Sequence, residues 1–431
     1  MKKKTVILRL TALVAGLALV LGTLQFFSKQ KPSFDGELVD VVFPKSYAFT
    51  DDDSWFSVRK NNPIEDEFIS AINTFSYKTS ATLLGNSKGN INYSPLSLYY
   101  PLALSATGAR GETQAQLLEL LGVMDSDTLS LQCGNLYRQL YSDNEIGKLK
   151  IANSLWIDDR LAINKSFAEN AAKNFYASSI NVDFSDKETS KKMADWIANN
   201  TNAILTPEIK ISSQQIMSII NTVYFKDEWM DRFDKRKTAE DSFNLSDGNT
   251  VSCDFMNTTY GSHSFSKGEG FTRSSLDLKN HGQMVFILPD KGISPKELLS
   301  SPDKMQEIFE GEESGNGEVI WKIPKFSFGS ELELMDQLKA LGISSVFTEN
   351  ANFSGITPDQ AFIGGVSQQS HIAIDENGVE AAAFTQINYA GAMLPTDKAE
   401  MILDRPFIYG IKSFNGTLLF VGICENPTLI N

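Results

Sequence analysis

His371-Ile372-Ala373-Ile374-Asp375-Glu376-Asn377-Gly378-Val379-Glu380-Ala381-Ala382-Ala383-Phe384-Thr385 carries two conflicting local instructions. Its first five residues alternate as a strand does. Three alanines follow, and alanine is the strongest helix former. The continuation, Gln386-Ile387-Asn388-Tyr389-Ala390-Gly391-Ala392-Met393-Leu394-Pro395, has no firm period. A segment this small and polar buries little by itself. It reads as an exposed loop that becomes a strand when a sheet accepts it.

The rest of the chain is rich enough to supply that sheet. It has 431 residues, 42% hydrophobic and 21% charged, which suffices for a large core. The formal net charge of −14 excludes a nucleic-acid footprint, which needs clustered Lys and Arg. Cys133, Cys253 and Cys424 lie far apart and read as three separate, mostly buried thiols.

Lys2-Lys3-Lys4 precede an apolar run, and no residue from Leu10 to Ser28 is charged. Residues 1–28 read as a secretory signal peptide or a single-span membrane anchor through residues 10–28. Either places the remainder outside the cell, secreted or held on the outer face of the membrane. Residues 29–62 read as a tether, part of which docks through Phe43, Tyr47, Phe49, Trp55 and Phe56. Asp51-Asp52-Asp53 lacks the glycine and spaced glutamate of a calcium loop and reads as a solvated turn. Residues 63–431 then form one large mixed domain.

Helical spacing runs from Glu65 to Leu84, Pro95 to Thr107, Thr113 to Leu121 (with Gly122 as C-cap), Ser166 to Tyr176 and Glu188 to Asn199. Strands are expected at Ile216 to Phe225, Met284 to Leu288, Val319 to Phe328 and Phe407 to Ile411. Leu418 to Cys424 is nearly all apolar, as a strand buried on both faces is. Helices lead and strands follow, which argues for α+β.

No catalytic or metal-binding constellation emerges. His263, His281 and His371 are the only histidines, none in an HExxH motif, and there is no GxSxG elbow or P-loop. The chain reads as a non-enzyme without cofactor or metal.

An ordered set of short elements resembles the serpin family. Asn90-Ile91-Asn92-Tyr93-Ser94-Pro95-Leu96-Ser97 is followed by Gly108-Ala109-Arg110-Gly111-Glu112-Thr113. Then come Asn221-Thr222-Val223-Tyr224-Phe225-Lys226 with Trp229, Ile287-Leu288-Pro289, and Ile323-Pro324-Lys325-Phe326. Leu341-Gly342-Ile343, Phe347 and Phe353-Ser354-Gly355-Ile356 lead to Asp404-Arg405-Pro406-Phe407, Phe420-Val421-Gly422 and Asn426-Pro427. With its export segment, the chain resembles a bacterial-type, exported serpin.

The resemblance implies an α+β fold of three β-sheets with eight or nine helices and an exposed reactive loop. It implies a metastable suicide-substrate inhibitor of serine proteases, acting as a monomer and forming a covalent 1:1 complex. The cleaved loop would enter the main sheet as a strand. The hinge would be Glu376, Gly378, Val379, Glu380, Ala381, Ala382 and Ala383, with the reactive bond at Ala392-Met393 and Met393-Leu394 as the alternative. Ser94, Ser97, Asn221 and Trp229 would be structural residues beneath or beside the opening sheet. Gln368 stands where the family carries a histidine.

The residues suit such an insertion. If Val379 faces the core, so do Ala381, Ala383, Thr385 and Ile387, all small or β-branched and uncharged. Glu380, Phe384, Gln386 and Asn388 face the other way, and no proline falls between Glu376 and Leu394. Ala392 suits the shallow pocket of elastase- or subtilisin-like enzymes, and no Lys or Arg lies between Glu376 and Pro395. Two alternatives stay open: a non-inhibitory serpin serving as a binding or scaffold protein, and a cross-class inhibitor of papain-like cysteine proteases.

Overall fold

The computed structural model describes residues 41–429 apart from 86, 214, 281, 313 and 380–396. The export segment 1–28, residues 29–40 of the expected tether, Glu380 to Ala383, and Ala392 with Met393 therefore lie outside the described residues.

Ten α-helices are described, counting one of a single turn, against the eight or nine expected. They are α1 (Asp52–Asn61), α2 (Asp66–Leu84), α3 (Pro95–Gly108), α4 (Gly111–Leu121), α5 (Ser126–Leu140), α6 (Lys165–Asn174), α7 (Lys187–Asn200), α8 (Pro295–Leu298), α9 (Pro302–Glu310) and α10 (Met335–Ala340). The strands are β1 (Ile91–Tyr93), β2 (Ser142–Asp143), β3 (Lys148–Asp158), β4 (Ala177–Val182), β5 (Met217–Glu228), β6 (Ala239–Asn244), β7 (Thr250–Gly268) and β8 (Phe271–Asp277). They continue with β9 (Gln283–Pro289), β10 (Gly315–Pro324), β11 (Phe326–Glu333), β12 (Ser367–Asp375), β13 (Gly378–Val379), β14 (Asp397–Ile402), β15 (Phe407–Lys412) and β16 (Leu418–Cys424).

Three sheets result. One runs β11-β12-β13-β5-β3-β2, with β4 parallel beside β3. The other strands form one ladder, β1-β16-β15-β9-β8-β7-β10-β14 with β6 on β7. It serves two sheets because the 19-residue β7 pairs with β10 and β6 at one end and β8 at the other. Every residue of β16 is buried, as its composition predicted. Helix α3 lies between β16 and β5 and is buried on nearly every side.

Two expected strands are corrected. Val319 to Phe328 is not one strand: the chain changes sheets at Lys325, whose N–H donates to the Asp254 carbonyl. β5 runs three residues past Phe225, to Glu228. Its charged end is satisfied locally, Asp227 by Asn280 and Glu228 by Lys279 and Arg232.

Asp51-Asp52-Asp53 is a helix start rather than a solvated turn. Asp51 Oδ1 accepts the Ser54 N–H at 3.1 Å, and Asp52 and Asp53 fill the first turn of α1. Trp55 is buried and donates through Nε1 to the Ala48 carbonyl. Phe43 packs against Tyr141 and Tyr176, and Gln139 Nε2 donates to the Asn62 carbonyl. All three cysteines are free, Cys133 and Cys424 buried and Cys253 half-buried.

Candidate functional site

β5 and β12 run side by side in the main sheet, yet among the described residues they share no ladder with each other. Only Gly378 and Val379 lie between them, pairing antiparallel with both. Val379 faces Ile374 on one side and Asp227 on the other, and Gly378 faces Asp375 and Glu228. Val379 is 3% exposed and shares the inward face with buried Ile374. Below this row Phe225, Val223, Asn221, Ile219 and Met217, inward by the same alternation, are only half-buried. Among the described residues a slot thus separates β5 from β12, with the hinge seated at its top.

Glycine is required at 378. A Cβ there would stand 2.2 Å from the Asp227 carbonyl oxygen, a backbone atom that cannot yield. The turn before it is held tightly. Asp375 Oδ1 accepts the N–H groups of Asn377 and Gly378, at 2.8 and 3.3 Å. Trp229 donates Nε1 to the Asp375 carbonyl at 2.9 Å and its backbone N–H to the Asn377 carbonyl at 3.0 Å.

Glu376 anchors the same turn. Its side chain accepts from Thr238 Oγ1 at 2.9 Å and Lys325 Nζ at 3.3 Å, and its carbonyl accepts the Phe233 N–H. Burial pushes its carboxyl up. Hydrogen bonds from its own backbone N–H, Thr238 and Lys325, with the charge of Lys325, outweigh that and hold it below the usual range. Asp227 goes the other way. Burial, the largest influence, drives its carboxyl up to about 7 despite hydrogen bonds from Glu228 and Asn280.

Beneath the slot, four of the singled-out residues meet in one network. Gln368 on β12 accepts the Ser94 N–H at 2.9 Å and donates Nε2 to the Ser94 carbonyl at 2.8 Å. Ser94 caps α3: its hydroxyl accepts the Ser97 N–H and donates to the Leu419 carbonyl. Ser97 Oγ donates to Asn221 Oδ1 on β5, and Asn221 Nδ2 donates to Asn153 Oδ1 on β3 at 2.7 Å. The two sides of the slot are thus joined through the first turn of α3. Trp229 lies outside this network, beside the hinge turn.

Sequence reasoning left Asn153, Lys325, Asp227 and Asn280 without a role. Lys325 and Asp227 were in view, Lys325 inside a quoted motif and Asp227 between Lys226 and Trp229. Nothing local signals that Asn280 meets Asp227. Among the described residues no group of His, Cys, Asp and Glu could hold a metal ion. Nor is any described helix long and apolar enough to cross a membrane.

Comparison with known proteins supplies a family context. A family model described as Serpin (serine protease inhibitor) matches residues 70–427. Serpin-Z7 of Hordeum vulgare is 29% identical over 363 residues, covering 79% of this chain and 90% of that protein. A serine protease inhibitor of Mus musculus is 30% identical over 418 residues, covering 91% of this chain and 98% of its own. The native-state crystal structure of tengpin, a thermophilic serpin, superposes with a TM-score of 0.78 at 26% identity, covering 90% of this chain and 99% of that one.

Replacing Gln368 by Leu leaves the buried N–H and carbonyl of Ser94 unpaired, each costing roughly 1–3 kcal/mol. Chemical denaturation of Gln368→Leu is expected to show a loss of about 2–4 kcal/mol; an unchanged midpoint would discount the bridge. Lys325→Ala is expected to cost about 1–3 kcal/mol at pH 7. Because the Glu376 carboxyl is depressed in the fold, its contribution exists above the ordinary carboxylate range and fades as pH falls through the lowered value. The penalty should therefore shrink below about pH 4. The same penalty at pH 7 and pH 3.5 would mean that only packing was lost.

Proposed function

The chain belongs to the serpin family, the serine protease inhibitors, and we propose that it acts as a suicide-substrate inhibitor that traps its target by loop insertion. The protease cuts the reactive bond, forms an acyl-enzyme, and is held when the cut loop enters the main sheet. The observation carrying this reading is Gly378-Val379 paired on both sides between two strands that share no ladder.

Continuing that register gives the loop a consistent seat. Ala381 would stand opposite Phe225 and Ile372, Ala383 opposite Val223 and Ser370, and Thr385 opposite Asn221 and Gln368. Ala381 thus meets two large apolar side chains, Ala383 meets a valine and a serine, and the Thr385 hydroxyl meets the polar bridge over α3. Glu380 would fall on the outer face opposite Lys226, so the one charge of the hinge stays out of the core. Each hydrogen bond gained contributes roughly 0.5–1.5 kcal/mol net, and about ten residues gaining a ladder on both sides suffice to drive the rearrangement.

Ala392-Met393 as the reactive bond favours an elastase- or subtilisin-like target in a covalent 1:1 complex with a monomeric inhibitor. Export, as a secreted or surface-anchored protein, is supported by the composition of residues 1–28 alone. The bacterial-type resemblance finds no support in the relatives described above, which come from barley and mouse.

Incubation with subtilisin or pancreatic elastase is expected to give an SDS-stable adduct and release a C-terminal peptide beginning at Met393. The cleaved inhibitor should melt tens of degrees higher. Cleavage without adduct by every serine protease tried would end the inhibitory reading. Ala381→Arg would bury an unpaired charge, costing several kcal/mol, and is expected to turn inhibitor into substrate. An unchanged stoichiometry of inhibition would refute the register.

A further inference from the structure

The main sheet ends on an open edge. β11 pairs antiparallel with β12, from Phe326 opposite Ile374 to Glu333 opposite Ser367, and among the described residues no strand pairs with its other side. The Leu334 N–H donates to the Val366 carbonyl, so by the alternation of an antiparallel ladder Leu332 and Ser330 also turn their backbone groups toward β12. Glu331 and Glu333 turn theirs outward, and among the described residues their N–H groups find no acceptor. At the other end of the strand this edge is closed by the bond from the Lys325 N–H to the Asp254 carbonyl. The inner face is anchored, since Ser330 Oγ accepts the Asn92 N–H at 2.8 Å. The open part is a short, held length of strand at the opposite end of β12 from the hinge.

A groove of ≈ 950 Å³ runs along this edge. That falls within the range of about 300–1,000 Å³ found for ligand clefts. Its walls include Leu205, Pro207 and Leu332, half-buried and apolar. Its charge is nearly all of one sign: Glu208, Glu331, Glu333 and Asp336, all exposed, line it against a single lysine, Lys88. His371 also lines it, and burial lowers its pKa, so it stays neutral at pH 7. Among the described residues Glu208, Glu331 and Glu333 enter no ion pair, and Asp336 makes only an exposed one with Lys339 at 3.6 Å. Gln337, on the same wall, has its side-chain oxygen buried without a donor.

We propose that this groove binds an extended cationic segment of a partner protein, which adds a strand to the edge of β11 at Glu331 and Glu333 and sets lysine or arginine side chains against the carboxylates. The site is separate from the hinge, goes beyond the inhibitory reading and does not depend on it.

Charged residues on an edge strand ordinarily keep other strands away. An apolar strand would leave Glu331 and Glu333 facing it without a counter-charge. A strand with a basic residue at every second position answers both, because side chains alternate faces and Glu331 and Glu333 share one. The free backbone groups supply pairing and the carboxylates select by charge, which are the two parts of strand addition. The whole chain carries a net charge of −14 and attracts basic segments diffusely. Strand pairing at β11 is what separates a site from that attraction.

The probe is a capped, fluorescein-labelled hexapeptide with lysine at alternate positions and valine or threonine between. It is titrated with the full chain at about 0.15 M salt and followed by anisotropy. Glu331→Gln combined with Glu333→Gln is expected to weaken binding about five- to tenfold. Asp195→Asn, at an exposed position on α7, should leave it unchanged. Two further peptides carry backbone N-methyl groups, one on the lysines and the other on the residues between. Only alternate N–H groups of an added strand face β11, so one of the two should lose binding and the other keep it. Hydrogen exchange should slow at the Glu331 and Glu333 amides when the parent peptide is bound.

Methylated peptides that bind alike, both tightly or both weakly, would overturn strand addition. Unchanged binding to the Glu331→Gln, Glu333→Gln variant would mean that diffuse charge alone holds the peptide, and would overturn the site. So would dimerisation of the free chain with protection of the same two amides, which would assign the edge to a second copy. None of these outcomes bears on loop insertion, which the adduct experiment judges separately.

Discussion

The two sides of the main sheet are tied to the end of a helix instead of to each other. Gln368 on β12 and Asn221 on β5 both reach the first turn of α3, one through the backbone of Ser94 and the other through the hydroxyl of Ser97. A helix end has unpaired N–H groups to satisfy, and here Ser94 serves as the cap while its own backbone is held by Gln368. These side-chain bonds link β5 and β12 through the start of α3. A strand entering from the hinge would gain a ladder on both flanks without first breaking one between described strands.

A second set of bonds holds the upper end of the slot. Glu376 is fixed by Thr238 and Lys325, and Trp229 grips the turn through two carbonyls. Lys325 is also the residue at which the chain leaves β10 for β11. One ion pair therefore links the hinge turn to the crossing between two sheets. The strand β13 therefore starts from a turn held on several sides.

Much of this was legible in the residues. The alternation through Ile372 and Ile374 announced β12, and the apolar run from Leu418 to Cys424 announced a strand buried on both faces. The ordered motifs announced the family, and Ser94, Ser97, Asn221 and Gln368 proved to be in contact. Helix α5 was hidden because its buried face carries Ser130, Gln132, Asn135 and Gln139, which blur an apolar stripe. Three of these bond the backbone of residues 62–65, a purpose no periodicity reveals. The end of β5 was misjudged for a related reason. Asp227 and Glu228 look like a strand terminus until Asn280, Lys279 and Arg232 are brought up by folding.

The pairing of Val379 with both Ile374 and Asp227 divides the information in the loop between two readers. A sheet inspects every second residue and is indifferent to the ones between, which is how a bulky Phe384 is compatible with a hinge of alanines. A protease inspects consecutive residues near the cut. The two inspections fall on different stretches and follow different rules. Under the proposed mechanism the bait could drift toward a new enzyme while the trap stayed unchanged, and a weakened trap would leave no mark on which enzyme is caught.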